Sequence, residues 1–204
     1  MFKNNIYILM EIFDKIKNPI PVKLISLGNN CVVQQAIDLI GETSQYSHIF
    51  SWCKSYNIHK IIKMYKNDFK DLFNIRYYKA KKNILYDITF IHHLDSTLKK
   101  WNDFIIQYTR KLNRLKNLNG NLLFIRVDYY CSKKKIYRLY EVLCEYYKTS
   151  NIYLLIITKK EFIPKYKNIR VIKTHENSQL MNTSEETTLY VRYYIYSFLK
   201  DIIG

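Results

Sequence analysis

The chain has 204 residues, 48% of them hydrophobic, which is enough for one well-buried core and too few to require two. Lys and Arg number 33 against 17 Asp and Glu, a formal charge of +16 that admits nucleic acid or an acidic partner as contacts without defining a fold. The 20 Tyr beside 4 Gly and 3 Pro, with abundant Lys, Asn and Ile, also fit the bias of an AT-rich genome, so plain solvated surface charge is the competing reading. Four cysteines, Cys31, Cys53, Cys131 and Cys144, form no CxxC pair and no zinc spacing with the histidines, so no metal and no cofactor are expected. The apolar stretch from Ile6 to Met10 is interrupted by Glu11 and Asp14, and no run approaches a membrane span. A soluble, intracellular, cytoplasmic protein with reduced thiols is the expectation.

Residues 2 to 17 carry Phe2, Ile6, Leu9, Met10, Phe13 and Ile16 at helical spacing, and Pro19 and Pro21 stop that helix. The next stretch, Lys23 to Leu27, is a short apolar run ending in Gly28-Asn29-Asn30-Cys31, after which Val33, Ala36, Ile37 and Ile40 recur with helical period. Strand, tight turn and helix follow. Cys31 then falls at the helix start, where unpaired N–H groups and the macrodipole favour a thiolate. Glu42 to Asn57 lacks a period and reads as a loop in which Phe50 and Trp52 plug the core; His48 and His59 have polar or loop surroundings.

Ile58 to Phe73 reads as one amphipathic helix, and Asn83 to Leu94 alternates as a strand ending in His92-His93. Adjacent residues of an extended chain face opposite ways, so at most one of those histidines is well aimed. A helix is expected between Ser96 and Leu118, with Arg110, Lys111 and Arg114 on its exposed turns as a candidate basic face. Asn121 to Asp128 is a strand buried on both faces, with Asp128 at its C-terminal end. A helix over 133–147, strands over 152–158 and 169–174, and a last helix opened by a capping box from Thr183 to Glu186 complete the chain, with His175-Glu176 just beyond the last strand.

Alternating strands and helices without a repeat or linker predict a single α/β domain around a mostly parallel sheet flanked by helices. Cys31, His92 or His93, Asp128 and His175 all come at or beyond strand ends, and a parallel sheet would gather them at one edge. Cysteine catalysis needs a thiol, a base and usually a group that orients the base, and this set supplies all three residue types.

Ser26-Leu27-Gly28-Asn29-Asn30-Cys31, then Leu39 and Gly41, then Phe50-Ser51-Trp52, resembles the opening signature of a family designated papain-like cysteine peptidases, known from bacteria and some large DNA viruses. Phe90-Ile91-His92-His93 is similar to its histidine motif, Tyr108 through Arg114 to its basic helix, and Leu123-Phe124-Ile125-Arg126 to its next strand. The resemblance covers roughly residues 22–160, leaving 1–21 as a leading helix and connector and 161–204 as a C-terminal strand and helix. It implies Cys31 as nucleophile, His92 or His93 as base, and a thiol hydrolase acting on a peptide, amide or ester. Ser51 stands where the family usually carries Asp, and the papain-like label implies an α+β fold as the alternative. Backbone N–H groups of the Gly28, Asn29, Asn30 turn are candidate oxyanion donors, and Ser51, Trp52 and His175 are secondary site candidates. Two other functions fit the composition: a non-catalytic basic module for nucleic acid or an acidic host protein, and an esterase-like hydrolase whose base is His175.

Overall fold

The computed structural model describes residues 22–28, 31–40, 47–90, 92, 94, 99–174 and 185–203. The expected leading helix, Asn29, Asn30, His93, His175 and the Thr183 capping box lie outside them.

Four strands, β1 (Val22–Ser26), β6 (Asn121–Val127), β7 (Asn151–Thr158) and β8 (Ile169–Lys173), form one parallel sheet in the order β1-β6-β7-β8. Its register runs Ser26 opposite Ile125 and Val127 opposite Ile157, and Leu27 N–H extends the ladder by donating to Ile125 O (2.9 Å). β6 and β7 are central and are almost entirely apolar, as strands covered on both faces must be.

Alternation along these strands serves two cores. Leu24, Leu123, Ile125, Val127, Leu155 and Ile157 face α1 (Val32–Leu39) and α5 (Glu185–Ile203), while Ile25, Leu122, Phe124, Leu154 and Ile156 face α2 (Ile58–Lys66), α3 (Trp101–Lys116) and α4 (Lys133–Tyr146). Phe124, fully buried against the Tyr147 ring at 5.6 Å, shows the scale: one such side chain contributes about 1.5–3 kcal/mol by leaving water. The α/β class is as expected, with the parallel sheet between helices rather than a papain-like arrangement.

Between α1 and β6 the chain builds a second, antiparallel sheet that the sequence reading did not foresee, in the order β2-β5-β4-β3, from β2 (Cys53–Ser55), β3 (Tyr78–Lys79), β4 (Lys82–Asn83) and β5 (Ile88–Phe90). The segment read as loop therefore contributes β2, too short to show a period. The helix expected to reach Phe73 ends at Lys66, because Asp68, Phe69 and Asp71 take positive φ; Asp68 is held there by Lys116 (2.6 Å) and by the Tyr146 hydroxyl (2.6 Å). The twelve-residue strand expected from Asn83 also breaks. The buried Asn83 carboxamide accepts from Tyr86 N–H (3.0 Å) and donates to Leu72 O (2.9 Å), which turns the chain before Asp87 at φ 53° redirects it into β5. Among the described residues no helix is long and apolar enough to cross a membrane.

Candidate active site

Cys31 occupies the N-cap of α1, in helical backbone geometry, with its carbonyl accepting from Gln35 N–H (2.9 Å). Gly28 makes the preceding turn possible. Its φ is +72°, and a Cβ there would lie 2.5 Å from Ser55 Oγ and 3.2 Å from Cys53 Sγ, so neither the angle nor the space admits a side chain. β2 is thereby pressed against the turn that ends β1. Ser26 Oγ accepts from Gly28 N–H (3.3 Å) and Ser55 Oγ donates to Leu27 O (3.1 Å).

Beneath this turn lies Arg126, wholly buried near the C-terminal end of an otherwise apolar strand. Its Nη1 donates to Leu27 O and to Ser55 Oγ, both at 3.1 Å, its Nη2 donates to Ser55 O (2.9 Å), and its Nε and Nη2 reach Asp128 Oδ2 at 3.0 and 2.9 Å. One guanidinium thus joins β1, β2 and the end of β6. Burial works against its charge, and the Asp128 carboxylate partly offsets this. Arg126 went unassigned in the sequence reading, although an Arg two residues before an Asp in an otherwise apolar strand puts both on one face, where they can pair.

The histidine motif comes from the antiparallel sheet and not from the parallel sheet edge. Just past β5, His92 Nε2 lies 3.3 Å from Cys31 Sγ, and the Trp52 ring meets the imidazole edge-on with centroids 5.7 Å apart. Cys31 is 5% exposed while His92 is open to solvent, so the sulfur is approached past the imidazole. In the tautomer protonated at Nδ1, Nε2 accepts the thiol proton.

The residues expected as third member, Asp128 and Ser51, are engaged elsewhere. Asp128 is occupied by Arg126 and by Tyr130 N–H (3.3 Å), and Ser51 Oγ, fully buried, accepts from His48 N–H (2.9 Å), so neither orients His92. The thiolate expectation also changes. Burial pushes the Cys31 thiol above its ordinary value, and the nearby Lys54 charge only partly opposes this. Cys53 and Cys131 are buried packing residues, as expected, and Cys144 is half-buried.

Two further corrections concern α3. Arg110 and Arg114 are exposed, but Lys111, placed with them on a basic face, is 7% exposed with its ammonium 4.6 Å from the Tyr108 ring centre. His48, read as a loop histidine, is 2% exposed, and burial followed by the Lys111 charge pulls its pKa down to about 3. An open cleft of about 440 Å³ is lined by Ser47, Trp52, His92, Gln107 and Lys111, so the partner of Cys31 in the pair faces it.

The fold and site together define an α/β protein with a cysteine–histidine pair at the turn between β1 and α1. No family model, no curated protein and no solved structure matches the chain.

Proposed function

We propose that the protein is a cysteine-dependent hydrolase that forms a thioester at Cys31 on a peptide, amide or ester substrate. The observation that carries this reading is the 3.3 Å separation of Cys31 Sγ and His92 Nε2, with His92 lining a cleft open to solvent. His92 takes the thiol proton as Sγ attacks the substrate carbonyl carbon, and the oxyanion develops at the positive end of α1. The imidazolium then gives its proton to the departing amine or alcohol, leaving an acyl-thioester. Water, losing a proton to His92, attacks the thioester, and the thiolate leaves and recovers that proton as the acid departs. The turn network of Gly28, Ser55 and Arg126 holds the sulfur in place, a fixed geometry that such chemistry needs. The sequence resemblance to papain-like cysteine peptidases points the same way.

Competition among the four cysteines for iodoacetamide tests the pair. Accessibility alone favours Cys144, the only one not buried. Assistance by His92 predicts that Cys31 is alkylated first near neutral pH, and that His92→Ala slows it by about tenfold or more. Preferential labelling of Cys144, with Cys31 indifferent to His92→Ala, would overturn the reading.

A further inference from the structure

We propose that the cleft beside Cys31 receives a substrate bearing a carboxylate close to its scissile bond, with the Lys111 ammonium as the counter-ion. This rests on the thioester chemistry at Cys31 and adds to it the substrate's charge.

Lys111 is a lysine in an unusual position. Ordinary surface lysines keep the ammonium in water, whereas this one is 93% buried while still lining the cleft it shares with His92 and Trp52 (7% exposed). Its one stabilising contact among the described residues is the Tyr108 face at 4.6 Å, with no ion pair and no hydrogen bond there. Burial disfavours the Lys111 charge most and Arg114 disfavours it further, with only the buried Cys53 sulfur acting the other way among the described residues, and the nearby His48 is buried and neutral. At the sulfur end Lys54 adds a further positive charge. No carboxylate is among the described residues lining the cleft.

A buried cation without an anion is costly to fold unless something it binds supplies the anion. The cleft has the lining for that: Lys111 shares it with His92, the partner of the Cys31 sulfur, and with the Gln107 amide. A neutral or cationic group placed there would leave Lys111 unpaired or repelled, so the cleft discriminates by charge as well as by shape. An acyl or leaving group ending in a carboxylate, such as an acidic side chain or a terminal carboxylate next to the cleaved bond, meets the reacting pair and Lys111 at once.

The test uses alkylating probes that share one electrophile and differ in charge: N-iodoacetylglycine against N-iodoacetylglycinamide, and the β-alanine pair with a longer tether. In each case Sγ attacks the methylene carbon and iodide leaves, so intrinsic reactivity is matched. Mass spectrometry of the intact chain's peptides reads the rate at Cys31. The carboxylate probe of the better-fitting tether labels Cys31 about tenfold faster than its amide, Lys111→Gln removes the preference, and Lys111→Arg retains it. Equal rates for both members of each pair in the unaltered protein would overturn the proposal, whatever the variants do. A preference that survives Lys111→Gln and vanishes in Lys54→Gln would overturn the assignment to Lys111. Failure of the thioester reading is separate: there the neutral probes label Cys144 ahead of Cys31.

Discussion

Arg126 Nη1 donates to the Leu27 carbonyl oxygen at 3.1 Å, so the residue that leads into the nucleophile turn is held by a buried cation from the neighbouring strand. The same side chain holds Ser55 and Asp128, which makes the turn's position a property of three strands rather than of a loop.

Removing that guanidinium leaves the Asp128 carboxylate without its ion-pair partner, takes the Arg126 donor from Ser55 O, and leaves Leu27 O with Ser55 Oγ as its side-chain donor. Arg126→Leu should therefore cost about 3–5 kcal/mol of stability, read by urea unfolding. Removing Asp128 as well, in Arg126→Leu with Asp128→Leu, should recover part of that loss, because the uncompensated charge goes too. Arg126→Lys keeps the charge but not the fork, and alkylation of Cys31 should slow in it even where the protein remains folded.

Acid should destabilise the protein through His48. Its folded pKa, about 3, lies below the ordinary 6.5, so below pH 6.5 the unfolded chain takes a proton that the folded chain refuses. Its contribution is fully present above 6.5 and falls by about 1.4 kcal/mol per pH unit as the pH drops toward 3. Urea midpoints measured across that window should decline, and His48→Gln should flatten the decline.

The Cys31 thiol should ionise above the ordinary value of 9.0, because burial is the larger influence and Lys54 the smaller, opposing one. The rate of Cys31 alkylation should accordingly keep rising with pH beyond 9.0. Lys54→Met removes the charge that favours the thiolate, so the rise should move to still higher pH. A shift to lower pH in Lys54→Met would contradict this assignment of causes.

How much of this was legible in the sequence depends on how local its cause is. β6, β7 and α4 read correctly because long apolar runs and a clear helical period state their burial outright. Cys31 at the start of α1 was legible from Gly28 and the spacing of Val33, Ala36 and Ile37. The second sheet was not, since β2 to β5 span two or three residues each and exist only by pairing with one another. Asp68 is held by Lys116 and Tyr146, 48 and 78 residues away, which no window contains, while Asn83 turns the chain through nearby Tyr86 and Leu72, a turn that the apolar alternation across it conceals. Asp128 was read as a partner for histidine because its place at the strand end was visible while its engagement with Arg126 across the same face was overlooked. Lys111 looked like a surface charge because composition favours that, and only packing turns it inward against Tyr108.

The most direct test of the Cys31–His92 pair is acyl transfer to the sulfur itself. Reaction with 4-nitrophenyl acetate, followed by both nitrophenolate release and mass spectrometry of the chain, should give a stoichiometric burst with the acetyl group on Cys31, which water then removes. Cys31→Ala should abolish the burst, and His92→Ala should slow both its formation and its decay. An acetyl group spread over lysines and Cys144, with no burst and no dependence on His92, would contradict the account.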